Sequence, residues 1–186
     1  PRERLFFSPA ACRCAIVTCG GLCPGINDVI RAIVYEAYEE YGVKDLYGFQ
    51  YGYKGMVKDH NIPPVRLDPE SVNSIHEIGG TILSSSRGPQ DPQSMVDFLE
   101  ELSISVVFTI GGDGTLRGAQ ALAKEIHKRA LPIAVIGIPK TIDNDIPFVE
   151  KTFGFETAVA ASREVIQSAH VESKGTENGI GLVKLM

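Results

Sequence analysis

The sequence predicts an α/β protein with a mostly parallel sheet and helices on both faces. Three observations carry that expectation. The runs 105–110 (SVVFTI) and 132–138 (PIAVIGI) are almost continuously apolar and β-branched. That is the pattern of strands buried on both faces, not the alternation of a half-exposed sheet. Segments with helically spaced apolar residues separate such runs, and strand–helix–strand alternation implies parallel neighbours. Three of the strands are followed by loops rich in glycine or aspartate, at the ends where such sheets bind ligands.

Taken in order, 15–17 is a short strand core, followed by the glycine turn CGGLCPG. The span 27–41 is helical, with Val29, Ile30, Ile33, Val34 and Ala37 along one stripe. A second strand follows at 46–49, then a glycine-aromatic loop, GFQYGYKGM. Residues 68–78 are expected to form a short helix. GGTILSSSRGPQDP is too rich in Gly, Ser and Pro for regular structure. Helix 91–102 leads into strand 105–110. Helix 115–129 carries Leu116, Ala119, Leu122, Ala123 and Ile126 on one side and leads into a buried strand at 132–138. A helix over 155–170 and a final strand over 180–185 complete the reading. No internal repeat or linker is present, and a strand running flush to the last residue suggests a portion of a longer polypeptide.

The chain has 186 residues, enough for one domain and the start of another. It is 44% hydrophobic and 22% charged, as in ordinary globular proteins. A formal net charge of −5 argues against general nucleic-acid binding, which needs a basic face, but leaves room for a local cationic pocket. No apolar run approaches the length of a membrane span, and the opening PRERLFFSPAACRC has no apolar core for a secretory signal. Cys12, Cys14, Cys19 and Cys23 lack the CxxC pairs of a zinc site. Reduced thiols in a cytoplasmic protein are the expectation. His60, His76, His127 and His170 have no metal spacing and receive no role.

The chemistry lies in the loops. In TIGGDGT, the glycines at 111, 112 and 114 let backbone N–H groups approach an anion, and the following helix adds its positive end. Asp113 stands where a cation would bridge phosphate oxygens, and magnesium needs only one or two protein carboxylates. Thr115 is suited to capping the helix or to donating to a phosphate. A tight turn stabilised by its Asp is the bland alternative. PKTIDND places Asp143 and Asp145 together, so that one carboxylate can accept the proton of an attacking hydroxyl. Thr141 offers a hydroxyl and Lys140 a mobile cation; a solvated Asp-rich turn is the alternative. Arg87, in SSSRGPQD, suits charge stabilisation on a transferring phosphoryl group, although composition alone favours a surface arginine. Gly20 and Gly21 form a phosphate-side turn without the GxGxxG spacing. Tyr53 either stacks on a base or packs.

In this order, GGLCPGIND, GGTILSSSRG, GGDGT, GIPKTIDNDI, TFGFETAV and GLVKLM resemble the phosphofructokinase family across residues 14–186. The resemblance implies a Rossmann-like, phosphofructokinase-like sheet. It implies a nucleotide-binding domain over 1–154 and the start of a sugar-phosphate domain over 155–186. It also implies phosphorylation of the 1-hydroxyl of fructose 6-phosphate with Mg2+, with Asp143 as general base and Asp113 on the metal. Gly20, Arg87, Gly88, Gly112, Asp113, Gly114 and Thr115 match nucleotide contacts. Thr141, Ile142, Asp143 and Met186 match sugar-phosphate contacts. Arg87 also matches a residue that stabilises the transferring group. A homo-oligomer, tetramer or dimer, is expected.

Gly114 and Lys140 sort the family by donor. Pyrophosphate-using members carry Asp where Gly114 stands, blocking the nucleotide α-phosphate, and Lys where Lys140 stands. The chain therefore resembles the ATP-using branch of the pyrophosphate-type lineage found in plants and trypanosomatids. Pyrophosphate is the alternative donor. A non-catalytic subunit and another GGDG-type kinase are more remote readings.

Overall fold

A computed structural model describes residues 6–185. Its sheet has five strands in the order β3-β2-β1-β4-β5. They are β1 (Arg13–Thr18), β2 (Asp45–Phe49), β3 (Val65–Leu67), β4 (Val106–Gly111) and β5 (Ala134–Pro139). β1 runs parallel to β2 and to β4, with Cys14 opposite Leu46 and Val106, and β4 runs parallel to β5. β3 is an antiparallel edge strand on β2.

Because side chains alternate across a strand, an unbroken apolar run feeds two cores at once. Cys14 and Ile16 of β1 face α1 (Ile26–Tyr35), whose Ile26, Ile30 and Val34 share one cluster with Leu46 and Ile110. Ala15 and Val17 face the opposite way. They meet Met95, Val96 and Leu99 of α2 (Pro92–Glu101) and Leu122 and Ile126 of α3 (Asp113–Lys128). The expected helices on both faces are therefore present.

Several local expectations need correction. Residues 68–78 do not form an α-helix: only Ile75–Glu77 winds, as a 3-10 turn. Asp68 and Ser71 bond to each other's backbone N–H, at 2.8 and 2.9 Å, which closes a turn that competes with helix. The expected loop at GFQYGYKGM contains a 3-10 helix, Gly52–Met56. The helix expected over 27–41 widens into a π-type turn at Glu36–Glu40. β5 is not fully buried: it is an edge strand, and Ile136 is 43% exposed. Residues 180–185 form no strand, since no described strand lies alongside to take their hydrogen bonds; Ile180 is 92% exposed. The helix predicted over 155–170 is α4 (Phe155–Lys174), which has no buried residue.

Gly118 shows how tightly α3 meets the rest. A Cβ there would overlap the ring of Tyr53, whose hydroxyl is fixed on the Thr115 carbonyl at 2.7 Å. Gly→Ala in a helix normally gains up to about 1 kcal/mol, whereas overpacking costs about 1–3 kcal/mol. Gly118→Ala should therefore lower the denaturation midpoint. An unchanged or raised midpoint would show that the ring moves aside freely.

Candidate active site

A cavity of about 790 Å³ opens beyond the carboxyl ends of β1, β4 and β5, a size suited to a small-molecule ligand. The chain leaves β1 towards β2 on one side and returns through β4 on the other, and that reversal opens a crevice. The loops after all three strands line it, as does the 86–90 segment. Ladder-like bonds continue past the strands and fix these loops. Cys19 N–H donates to the Ile110 carbonyl (2.9 Å) and Lys140 N–H to that of Gly111 (2.9 Å). Gly20 N–H donates to the Ser86 carbonyl (3.1 Å), and Ser85 Oγ returns a bond to the Gly20 carbonyl (2.6 Å). The Gly20 amide is thus already engaged, and Gly20 contributes shape to the cavity.

α3 points its N-terminus into the cavity. Its N-cap is Gly112, with no side-chain cap, so the first-turn N–H groups remain available to an anion. Thr115 does not cap the helix. It is buried, and its carbonyl accepts from Tyr53. The three glycines of the motif stand under different constraints. A Cβ on Gly111 would overlap the Thr115 side chain, and one on Gly112 would meet the Lys140 carbonyl at 3.2 Å. A Cβ on Gly114 would meet nothing within 4 Å, and its φ lies outside the left-handed region. The fold does not require glycine at 114; the open space beside it belongs to the cavity. Asp113 is exposed, and its one ionic contact among the described residues is Arg117, 4.0 Å away and one turn along α3.

The second wall is the 140–145 turn. Lys140 is only 5% exposed and donates Nζ to the Gly21 carbonyl. It is therefore a buried tether, not the mobile cation that the sequence suggests. Burial pushes its ammonium pKa below the usual 10.5; Cys23 and Cys19 oppose that shift and Arg87 adds to it. Thr141 Oγ1 donates to Asp145 Oδ1 (2.6 Å) and accepts from the Asp143 N–H (3.1 Å). That hydroxyl holds the turn together, and the turn engages Asp145. The Asp143 carboxylate has no hydrogen-bond or ionic partner among the described residues, and it faces the cavity.

Arg87, Gly88, Thr141 and Ile142 also line the cavity, with the Arg87 guanidinium beside Gly21. Met186 lies outside the described residues. Tyr53 packs: burial pushes its phenol pKa up, and its ring lies against Gly118. None of the four histidines lines the cavity. Among the described residues no three metal-ligating side chains cluster, but magnesium held by one carboxylate and phosphate oxygens needs no such cluster, and the exposed Asp113 fits that mode.

Sequence reasoning missed Thr152. Its N–H donates to Asn144 Oδ1 (2.8 Å) and its hydroxyl to the Thr141 carbonyl (2.9 Å), bracing a turn in which Asn144 adopts φ 54°. A lone threonine seven residues beyond the motif carries no spacing signal. Cys23, whose thiol donates to the Phe153 carbonyl at 3.1 Å, braces the same region and was equally silent.

A glycine-cradled anion cavity facing an unengaged carboxylate is an arrangement suited to phosphoryl transfer. The chain belongs to the phosphofructokinase family, whose model matches residues 13–186. Over all 186 residues it is 52% identical to an ATP-dependent 6-phosphofructokinase of Borreliella burgdorferi, covering 42% of that protein. It is 50% identical to ATP-dependent 6-phosphofructokinase 7 of Arabidopsis thaliana, covering 38% of it. The chain thus spans about two fifths of the length of these relatives. In shape it resembles the T-state phosphofructokinase of Pichia pastoris, with TM-score 0.74 and 28% identity over 85% of this chain and 18% of that one.

Burial holds the Lys140 pKa below the unfolded 10.5, so the folded chain binds that proton less tightly than the unfolded one. The cost of burying the charge is complete at low pH and is lost as pH rises from the folded value to 10.5. Measured by denaturation, stability relative to Lys140→Met should therefore climb with pH through that window. A flat difference would contradict the desolvated-cation reading.

Proposed function

We propose that the full-length protein carrying this chain transfers the γ-phosphoryl group of ATP to the 1-hydroxyl of fructose 6-phosphate, giving fructose 1,6-bisphosphate and ADP. The observation that carries this reading is the open space at Gly114, in the same cavity as the unengaged Asp143 carboxylate. An Asp at 114 would put a charge where the nucleotide α-phosphate must pass; a hydrogen leaves it room. The names of the ATP-dependent relatives point the same way.

In this reading Asp143 accepts the proton of the 1-hydroxyl as its oxygen forms the new P–O bond and the bond to ADP breaks. Arg87 offsets charge on the transferring group. Gly112, Gly114 and Thr115, at the start of α3, shape and supply the donor cradle, which Gly20 and Gly88 flank. Thr141 and Ile142 border the sugar phosphate, and the Thr141 bond to Asp145 leaves Asp143 as the base. Asp113 would hold Mg2+, which supplies charge neutralisation between donor phosphates. In the same reading 1–154 forms the donor side, and 155–186, with Met186 as a sugar contact, belongs to the sugar side. A homo-oligomer belongs to the same reading. No helix among the described residues is long and apolar enough to cross a membrane.

Pyrophosphate as donor rests on Lys140, whose ammonium is engaged on the Gly21 carbonyl. Steady-state kinetics of the full-length protein with fructose 6-phosphate and either donor separate the two. Turnover with ATP and little with pyrophosphate is expected, and the reverse would overturn the proposal. Gly114→Asp should raise the KM for ATP by about tenfold or more, the scale of one unfavourable charge contact of ~1.4 kcal/mol. Unaltered ATP kinetics in that variant would remove the steric and electrostatic account. Asp143→Ser should lower kcat by about 10²–10⁴, the usual contribution of a positioned base.

A further inference from the structure

We propose that Arg117 supplies the cation for the donor's α-phosphate, so that it distinguishes a nucleoside triphosphate from bare pyrophosphate. The proposal rests on the ATP reading of the cavity given above. Asp113, Gly114, Arg117, Gly118 and Ala121 lie along one side of α3 and line the cavity together. At 1.5 Å per residue, Arg117 stands about 6 Å along the axis from Asp113. The wall changes character over that distance. It is polar at the helix N-terminus and apolar further along, where Ala121, Met95 and Tyr53 line it. Phosphates belong at the first end and a base at the second. Arg117 marks the junction, one turn beyond the open space at Gly114.

The other cations of the cavity are placed elsewhere. Lys140 is buried on the Gly21 carbonyl, and Arg87 lies beside Gly21 across the cavity. Arg117 is bound only loosely. Its side chain is 76% exposed, and its ion pair is the 4.0 Å contact with Asp113, itself 66% exposed. An exposed pair of that kind is weak and yields to a phosphate that offers charge-assisted hydrogen bonds. The contact holds the guanidinium over the cavity without committing it.

Binding of three probes to the full-length protein tests the assignment: inorganic pyrophosphate, inorganic tripolyphosphate and a non-hydrolysable ATP analogue. Pyrophosphate fills the β and γ positions alone, whereas the other two also fill α. Arg117→Met should weaken tripolyphosphate and the ATP analogue about tenfold, the scale of one charge-assisted hydrogen bond, and leave pyrophosphate within about twofold. Arg117→Lys should restore much of the loss. The residue is exposed, so both variants should keep the wild-type fold. Equal weakening of all three probes would reduce Arg117 to a general field effect and overturn the proposal, as would no weakening at all. A wild-type protein that binds neither tripolyphosphate nor the ATP analogue would overturn the ATP reading itself.

Discussion

A single buried cation joins the two halves of the cavity: the Lys140 ammonium on the carbonyl of Gly21. It ties the turn after β5, which carries Asp143, to the glycine turn after β1. A backbone bond from Lys140 N–H to the Gly111 carbonyl ties the same residue to the strand that delivers Asp113. Three loops from three strands thus meet at one residue. A buried ammonium without an acidic partner is costly, and here its neighbours are two thiols, a backbone carbonyl and the Arg87 guanidinium. The cost falls at the point where the loops after β1, β4 and β5 are held together. Cys19, near the same point, is a thiol that burial pushes up to about 11, which keeps it neutral and chemically quiet beside the cavity.

Around that tether the polar groups fall into those the scaffold uses and those it leaves to a ligand. The scaffold uses the Thr141 hydroxyl, Asp145, the Gly20 amide, Thr152 and Asn144. It leaves the first-turn amides of α3, Arg87, Asp143 and the lightly paired Asp113. The glycines of the β4–α3 region divide in the same way. Gly111 and Gly118 have no side chain because a neighbour fills the space, whereas Gly114 has none although the space is empty. Absence of a packing reason is what makes position 114 informative about the ligand.

The sheet was legible because burial on both faces leaves unbroken apolar runs, and β1 and β4 are such runs. The site was legible because each loop is a short contiguous string at a strand end, so the topology alone brings the strings together. Edge features were not. β3 is three residues after a Pro-Pro pair, and Ile136 reads as core although β5 ends the sheet. The apolar pattern at 180–185 promised a strand, but strands require partners, which one segment does not specify. Residues 68–78 read as a short helix, yet the Asp68–Ser71 turn wins locally. Least legible was the role of Lys140. Residue type suggests a solvent-reaching cation, and only the three-dimensional arrangement reveals that it is buried.

If the loops after β1 and β4 form one donor cradle, a bound nucleotide must shield their amides together. Hydrogen–deuterium exchange of the full-length protein, with and without a non-hydrolysable ATP analogue, measures this segment by segment. The account predicts that the analogue slows exchange in both 21–22 and 112–115, whose amides the scaffold leaves free, while the exposed middle of α4 changes little. Saturating analogue that leaves both segments unprotected, with slowing confined to other parts of the chain, would contradict it.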